Sequence, residues 1–381
     1  MLSKETSRAF ADAPLRVLLV APSPPPYGGM ALQARLLEKL LRNDGVAVTF
    51  FSSNFPLLGW LRPFGFVPGV RTMIRFGMTW VKLWRAVRQV EIVHVLAASW
   101  LYFFLLVWPS VLVGSARRKR VVLNYRGGEA ARFFRKYGWF ARPVFKLATV
   151  VTAPSDFLAE VIGNHFGIPV VIVPNILDVS AFPYRERGKF QPKLLVNRHL
   201  EKIYDVESVL KALRMVQQTH PEASLWIAGS GSQEGRLRHL VSQWGLRHVC
   251  FLGHVAHGDL PAICDQCDIL VNASRVDNFP GALLEASAAG LVVVSTAAGG
   301  IPFVYQDGRD AVLVPPGDWQ GLGRAVQEML VHPSLAADLA QAAAALARRC
   351  EWKEVRKHLY AVYGLPLQEE THGGEVRCIA G

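Results

Sequence analysis

The sequence predicts an α/β protein built from two doubly wound parallel sheets, each covered by helices on both faces. Three observations predict it. Short apolar runs rich in β-branched residues recur along the whole 381-residue chain, each is followed by a stretch of helical period, and the alternation breaks once, near the middle. Continuous apolar strands alternating with helices mark parallel sheets buried on both sides. A chain of this length fills two domains of about 150 to 200 residues better than a single core.

The first set of strands is expected at residues 15–20, 46–51, 90–95, 120–124, 150–153 and 170–173. The second is expected at 193–196, 224–228, 248–252, 268–271, 291–295 and 311–314. The helix after the first strand carries Met30, Leu32, Leu36, Leu37, Leu40 and Leu41 at helical spacing. Between the two sets, at 178–192, Pro183, Arg185, Glu186, Arg187, Gly188, Lys189 and Pro192 interrupt the period and read as a linker. A last helical pattern covers 352–363 and stops at Gly364 and Pro366. The expected organisation is therefore a first domain over 1–180, a second over 181–350, a further helix over 351–366 and a flexible tail over 367–381.

Composition narrows the function. With 51% hydrophobic and 19% charged residues the chain is neither disordered nor collagen-like. Residues 1–190 carry 25 basic and 10 acidic side chains and the remainder 17 and 20, so a net +15 stands against −3. A field of that sign favours an anionic partner such as a phosphate ligand or a membrane face. Nucleic acid is not expected: there is no zinc-finger pattern, and the longest basic run is Arg117-Arg118-Lys119-Arg120. Five cysteines are too few and too irregular for a disulfide framework, which points to a reducing compartment. Cys264 and Cys267 form a lone CxxC, read as two buried thiols because no second pair completes a zinc site. Residues 1–14 are polar and mixed in charge, unlike a secretory signal. Residues 93–114 lack formal charge but hold Pro109 and small residues between two strand-like runs, and are read as a buried helix rather than a membrane span.

Two glycine turns and one acidic pair carry the chemistry. Gly28 and Gly29 lie in the first strand-to-helix turn, and Gly229 and Gly231 in a similar turn of the second half. Both suit a phosphate at a helix N-terminus, although tight turns need glycine in any case. Neither GxGxxG nor GxxxxGK occurs at these turns, which argues against a nicotinamide enzyme or a P-loop ATPase. In the second half, strand 268–271 leads to a loop with Asp277 and a helix with Glu285 one turn in. Both acids then face the crevice at the carboxyl ends of parallel strands, where ligands of such folds bind. The N–H groups of Gly281, Ala282 and Leu283 between them suit a diphosphate, and Glu285 suits the hydroxyls of a ribose. Taken singly, Asp277 reads as a turn cap and Glu285 as a solvated helix residue.

These residues resemble the GT-B fold glycosyltransferases of glycosyltransferase family 4, which use nucleotide-sugar donors and retain anomeric configuration. The resemblance rests on the eight-residue spacing of Asp277 and Glu285 and on the segment Glu285-Ala286-Ser287-Ala288-Ala289-Gly290. It extends to Val173-Pro174-Asn175 with Asp178 and Phe182, Phe251-Leu252-Gly253-His254-Val255, Ala298-Gly299-Gly300-Ile301-Pro302 and Leu313-Val314-Pro315-Pro316-Gly317-Asp318. It implies two Rossmann-like domains facing a cleft, with the C-terminal helix crossing back to the first. Arg198 and Lys202 are implied as the basic pair for the diphosphate, Asp277 as a holder of donor-sugar hydroxyls, and Glu285 as the ribose ligand. Gly28, Gly29, Gly229, Gly231, His254, Val255, Asn278, Gly281, Ala282 and Leu283 would complete the donor site. No metal and no further cofactor is implied. Where the family often has His, this chain has Arg126 followed by Glu129, so the acceptor or sugar side gains a cation suited to phosphate. Phe303 stands where an acid is common.

Residues 50–89 interleave Phe51, Phe55, Trp60, Phe64, Phe66, Phe76, Trp80 and Trp84 with Arg62, Arg71, Arg75, Lys82, Arg85 and Arg88. Such a segment suits an anionic lipid surface. The combined expectation is a cytoplasmic enzyme, peripheral on the inner face of the cell membrane, moving a UDP- or GDP-linked sugar to a lipid-linked or oligosaccharide acceptor in envelope polysaccharide or glycolipid assembly. The rival readings are a nucleotide-sugar epimerase of the same fold, an oxidoreductase, and a nucleotide-binding membrane scaffold without activity.

Overall fold

The structure, a computed structural model, describes residues 14–23, 29–52 and 68–365. The expectations at Gly28, at Phe55, Trp60, Arg62, Phe64 and Phe66, and over the tail 367–381 lie outside the described residues.

All twelve expected strands form, each within two residues of its expected ends. In the first half, β1 (Arg16–Ala21), β2 (Ala47–Ser52), β3 (Ile92–Ala97), β4 (Arg120–Tyr125), β5 (Val150–Ala153) and β6 (Val171–Ile172) make one sheet in the order β2-β1-β3-β4-β5-β6. In the second, β7 (Lys193–Asn197), β8 (Ser224–Ala228), β9 (Val249–Gly253), β10 (Ile269–Asn272), β11 (Val292–Thr296) and β12 (Val312–Val314) follow the order β12-β11-β10-β7-β8-β9. Every pairing within the two sheets is parallel. The order reverses between β1 and β3 and between β7 and β10, so each sheet opens a crevice at its carboxyl edge there.

Alternation along the strands sends residues to two faces. Val93, Val95, Leu123 and Val151 pack with Phe103, Phe133 and Phe145 on one side, whereas Ile92, Leu96 and Val122 pack with Leu37, Leu41 and Leu359 on the other. Helix Gly29–Asn43 buries Ala31, Ala34, Leu37 and Leu41, and Leu32, expected among its apolar positions, is 39% exposed. The period of 3.6 selects the first set, and its two alanines bring the helix close to the sheet.

Residues 93–114 divide into β3, a π-helical turn at Phe103–Val107 and helix Trp108–Ala116. Phe103, Leu106, Val107, Val111 and Val113 are buried in the first core. Among the described residues no helix is long and apolar enough to cross a membrane.

The segment expected as a linker is anchored rather than loose. Arg187 is 4% exposed, its Nε meets Asp268 Oδ1 at 2.9 Å, and its Nη groups donate to the Arg185, Ala289, Cys264 and Cys267 carbonyls. Asp268 also takes Arg185 Nη2 at 2.6 Å and the Gln191 N–H at 2.7 Å. Five polar partners explain why an arginine stays buried in a stretch that sequence composition marks as a surface connection. Cys264 and Cys267 beside it are buried, and that burial pushes both thiols up to about 12.

Helix Trp352–Tyr363 returns to the first sheet, where Val355, Leu359, Val362 and Tyr363 are buried among Leu15, Val17 and Leu19. Each such side chain contributes about 1.5 to 3 kcal/mol of transfer free energy. Polar contacts fix its register: Tyr363 Oη lies 2.7 Å from His94 Nδ1, Arg120 Nε donates to the Val362 carbonyl at 2.8 Å, and Trp352 Nε1 and Tyr360 Oη both donate to Asp44.

Candidate functional site

The second-half crevice gathers three of the four residues expected to be central. Arg198, the first residue past β7, donates from Nη2 to Asp277 Oδ2 at 2.5 Å and from Nε to Asn272 Oδ1 at 3.0 Å. Asn272 ends β10 and is itself held by Ser274 and Ser295 hydroxyls. Thus the two strands flanking the reversal of strand order deliver a cation and its orienting amide side by side. Arg198 and Asp277 side chains are 12% and 9% exposed, so the pair is largely desolvated.

Glu285 lies on helix Gly281–Ala288 with a 15% exposed side chain. Asn197 Nδ2, at the end of β7, stands 3.3 Å from Glu285 Oε2, and His257 Nε2 stands 3.1 Å from Oε1. The hydrogen bond to Glu285 raises the His257 pKa above the usual imidazole value against the opposing effect of burial. His257 also meets the Phe182 ring edge-on at 5.8 Å. Neither Asn197 nor His257 was expected as a site residue. The only signal for His257 was its position three residues beyond His254 in the loop after β9.

Lys202 is exposed in the 3₁₀ turn Lys202–Tyr204 and lines a groove with Glu201, Asp205, Arg236 and Arg275.

The glycines hold loops together rather than standing open. Gly229, at φ +151°, has the Arg198 carbonyl where a Cβ would sit, and Gly231 is pressed in the same way against Leu200. Gly299 and Gly300 pack against the Asp277 and Asn278 carbonyls, and the Gly300 N–H donates to Asp277 O at 2.7 Å. At the helix start, Gly281 and Leu283 N–H groups donate to the Phe279 and Pro280 carbonyls, so of the three expected diphosphate donors only Ala282 N–H lacks a backbone acceptor. The proline makes the entry turn tight enough to close these bonds locally. His254 is exposed after β9, and Val255 packs partly against the Leu195 core. Space above Gly29 is open at the start of its helix.

The first half meets this crevice through Asn278. Its Nδ2 donates to Gly127 O at 2.9 Å, and the Ser155 hydroxyl donates to Asn278 O at 3.1 Å. Phe157 and Phe303 close the same gap with ring centroids 5.6 Å apart. Arg126 borders Gly127 with its Nη2 buried and unpartnered. Glu129, expected with Arg126 on the acceptor or sugar side, accepts Trp100 Nε1 at 2.9 Å and Arg132 Nη1 at 2.9 Å, and its side chain is 48% exposed. Among the described residues no three His, Cys, Asp or Glu side chains gather into a metal-binding group.

Known sequence families match both halves: the one described as Glycosyltransferase Family 4 over residues 27–181, and that described as Glycosyl transferases group 1 over residues 184–346. The chain belongs to the GT-B glycosyltransferases. Glycogen synthase of Mycobacterium tuberculosis is 30% identical over 233 residues, 59% of this GT-B chain and 55% of that protein. Phosphatidyl-myo-inositol mannosyltransferase of Mycobacterium leprae is 29% identical over 220 residues, covering 55% and 58%. The GT-B chain thus spans little more than half the length of these relatives. Among solved structures, Anabaena HepE in complex with UDP superposes with a TM-score of 0.72 at 17% identity, over 92% of this chain and 99% of that one. Sucrose-phosphate synthase from Thermosynechococcus elongatus gives 0.74 at 17% identity, over 92% and 98%. These two likenesses show the GT-B fold.

Proposed function

We propose that the protein transfers a hexose, with retention and without a metal, from a UDP- or GDP-sugar to a lipid-linked or glycan acceptor, working at the inner face of the cell membrane. The observation that carries this reading is the convergence of Arg198 with Asp277 and of Glu285 with Asn197 and His257 where the strand order of the second sheet reverses. Glu285 takes the ribose hydroxyls there. Arg198 and the Ala282 N–H stabilise charge on the leaving diphosphate, the electrostatic role that usually dominates such catalysis. Asp277 holds Arg198 in place and accepts a hydroxyl of the donor sugar. A leaving phosphate oxygen takes the acceptor proton.

Two things support a lipid setting. A cavity of about 490 Å³ on the outer side of the first half is lined by Phe76, Trp80, Phe104, Trp108, Trp139 and Phe140, with Trp139 78% exposed. Exposed aromatic groups in a basic half suit an anionic interface. In addition, two relatives are named as mannosyltransferases of phosphatidylinositol lipids. The test is incubation with UDP- and GDP-sugars and a membrane lipid extract in the presence of EDTA. The expected product is a glycolipid whose new anomeric centre matches the donor. Loss of all transfer in EDTA, restored by a divalent ion, would remove the metal-free mechanism, and an inverted product would remove retention.

A further inference from the structure

At the cleft end of the first sheet, several buried polar atoms have no partner. Asn124 and Thr152 are register partners on β4 and β5. Arg126 follows two residues after Asn124 and leaves the same face. Asn175 lies just past Val173, whose N–H bonds the Ala153 carbonyl at the end of β5. Asn124 Oδ1, Thr152 Oγ1, Asn175 Oδ1 and Arg126 Nη2 are all sealed from solvent without a hydrogen-bond partner. Asn278 Oδ1, brought from the second half by the bond to Gly127, is in the same state. Folded proteins leave few such atoms, and a group of them at a cleft marks where other polar groups arrive.

Arg126 decides what arrives. Burial pushes its guanidinium down to about 10, so it remains a cation at neutral pH. Glu129 bonds Trp100 and Arg132, Asp277 bonds Arg198, and Glu285 bonds Asn197 and His257. His94 nearby supplies no negative charge: burial, and next the Arg126 cation, lower its pKa to about 3 and keep it neutral. Water satisfies a lone acceptor, but it does not supply the countercharge for a guanidinium whose Nη2 is sealed without a partner.

Resting on the glycosyl-transfer reading above, we propose that Arg126 binds an oxyanion of the substrate other than the nucleotide diphosphate, with the Asn124, Asn175 and Asn278 oxygens accepting hydroxyl hydrogens beside it. The fitting ligand is an acidic, polyhydroxylated group. Its anion is either the carboxylate of a uronic-acid donor or a phosphate carried by the acceptor. The guanidinium fork matches both bidentately.

The test titrates UDP-glucose against UDP-glucuronate, GDP-mannose against GDP-mannuronate, and inorganic phosphate in the presence of saturating UDP or GDP. Wild type, Arg126→Leu and Arg126→Lys are compared. A uronate donor is identified by about tenfold or greater preference for the acidic sugar that disappears in Arg126→Leu and is reduced in Arg126→Lys. An acceptor phosphate is identified by equal donor affinities together with phosphate binding that is lost in Arg126→Leu. In either case Arg126→Leu melts at or above the wild-type temperature, since it removes a guanidinium nitrogen sealed without a partner. A residue with a merely structural role would instead melt lower. Nucleotide binding that is retained, with neither the sugar pairs nor phosphate distinguished by Arg126, overturns this inference and leaves the glycosyltransferase reading intact. Failure of every nucleotide to bind overturns that reading, and this inference with it.

Discussion

Arg198 Nη2 and Asp277 Oδ2 lie 2.5 Å apart at the mouth of the second crevice, with Asn272 fixing the other edge of the guanidinium. The cation expected to meet a diphosphate is therefore already neutralised, and a bound diphosphate shares it with Asp277. Replacing the acid frees the cation. Asp277→Asn is expected to tighten binding of the cognate nucleoside diphosphate by about tenfold, the scale of one charge-assisted hydrogen bond, while lowering kcat for transfer. Calorimetry with the nucleotide and initial rates with the sugar donor check the two effects separately.

His257 and Glu285 give a second, pH-dependent signature. The folded His257 pKa is raised, so the stabilisation from its charged pair is complete below the ordinary histidine range and is lost as pH rises through the raised value. In Glu285→Gln the upward shift is expected to vanish. An NMR titration of the His257 ring in both proteins measures it directly, and an unchanged midpoint would mean that the two groups are not in contact.

His94 works in the opposite direction. It is buried against Tyr363 Oη at 2.7 Å, and burial lowers its pKa to about 3. Below the ordinary histidine value the unfolded chain binds a proton that the folded chain refuses, so stability falls on acidification from about pH 6.5 toward 3, by up to about 1.4 kcal/mol per pH unit. Tyr363→Phe removes the hydroxyl partner of a buried ring nitrogen and is expected to cost about 1 to 3 kcal/mol at pH 7. Denaturant unfolding at pH 7 and pH 5 checks both.

Arg187 anchors the segment between the two sheets. Arg187→Ala strips Asp268 of one of its two guanidinium partners and takes a donor from each of four buried carbonyls. A loss of about 3 kcal/mol is expected, and Arg187→Lys recovers little of it because one ammonium cannot reach the same partners. Thermal unfolding of the two variants distinguishes this knot from an ordinary exposed linker, where neither change would register.

Much of this was legible in the sequence because it rests on period. Twelve apolar runs located twelve strands, since parallel strands covered by helices are mostly apolar and stand out from the helical period. The spacing of Asp277 and Glu285 located the crevice, because one loop and one helical turn separate them. What stayed hidden depends on long-range contact. His257 reaches Glu285 from a different strand end, Arg187 is buried with Asp268 from across the chain, and Glu129 bonds Trp100 and Arg132.

The central claim is that Glu285 and its neighbours hold a nucleoside diphosphate, and calorimetry in EDTA with UDP and with GDP on wild type and Glu285→Ala tests it most directly. The account predicts binding of one nucleotide by the wild type and at least about tenfold weaker binding by the variant, with the same fold by circular dichroism. Equal affinity in the two proteins, or no binding of either nucleotide to the wild type, would contradict it.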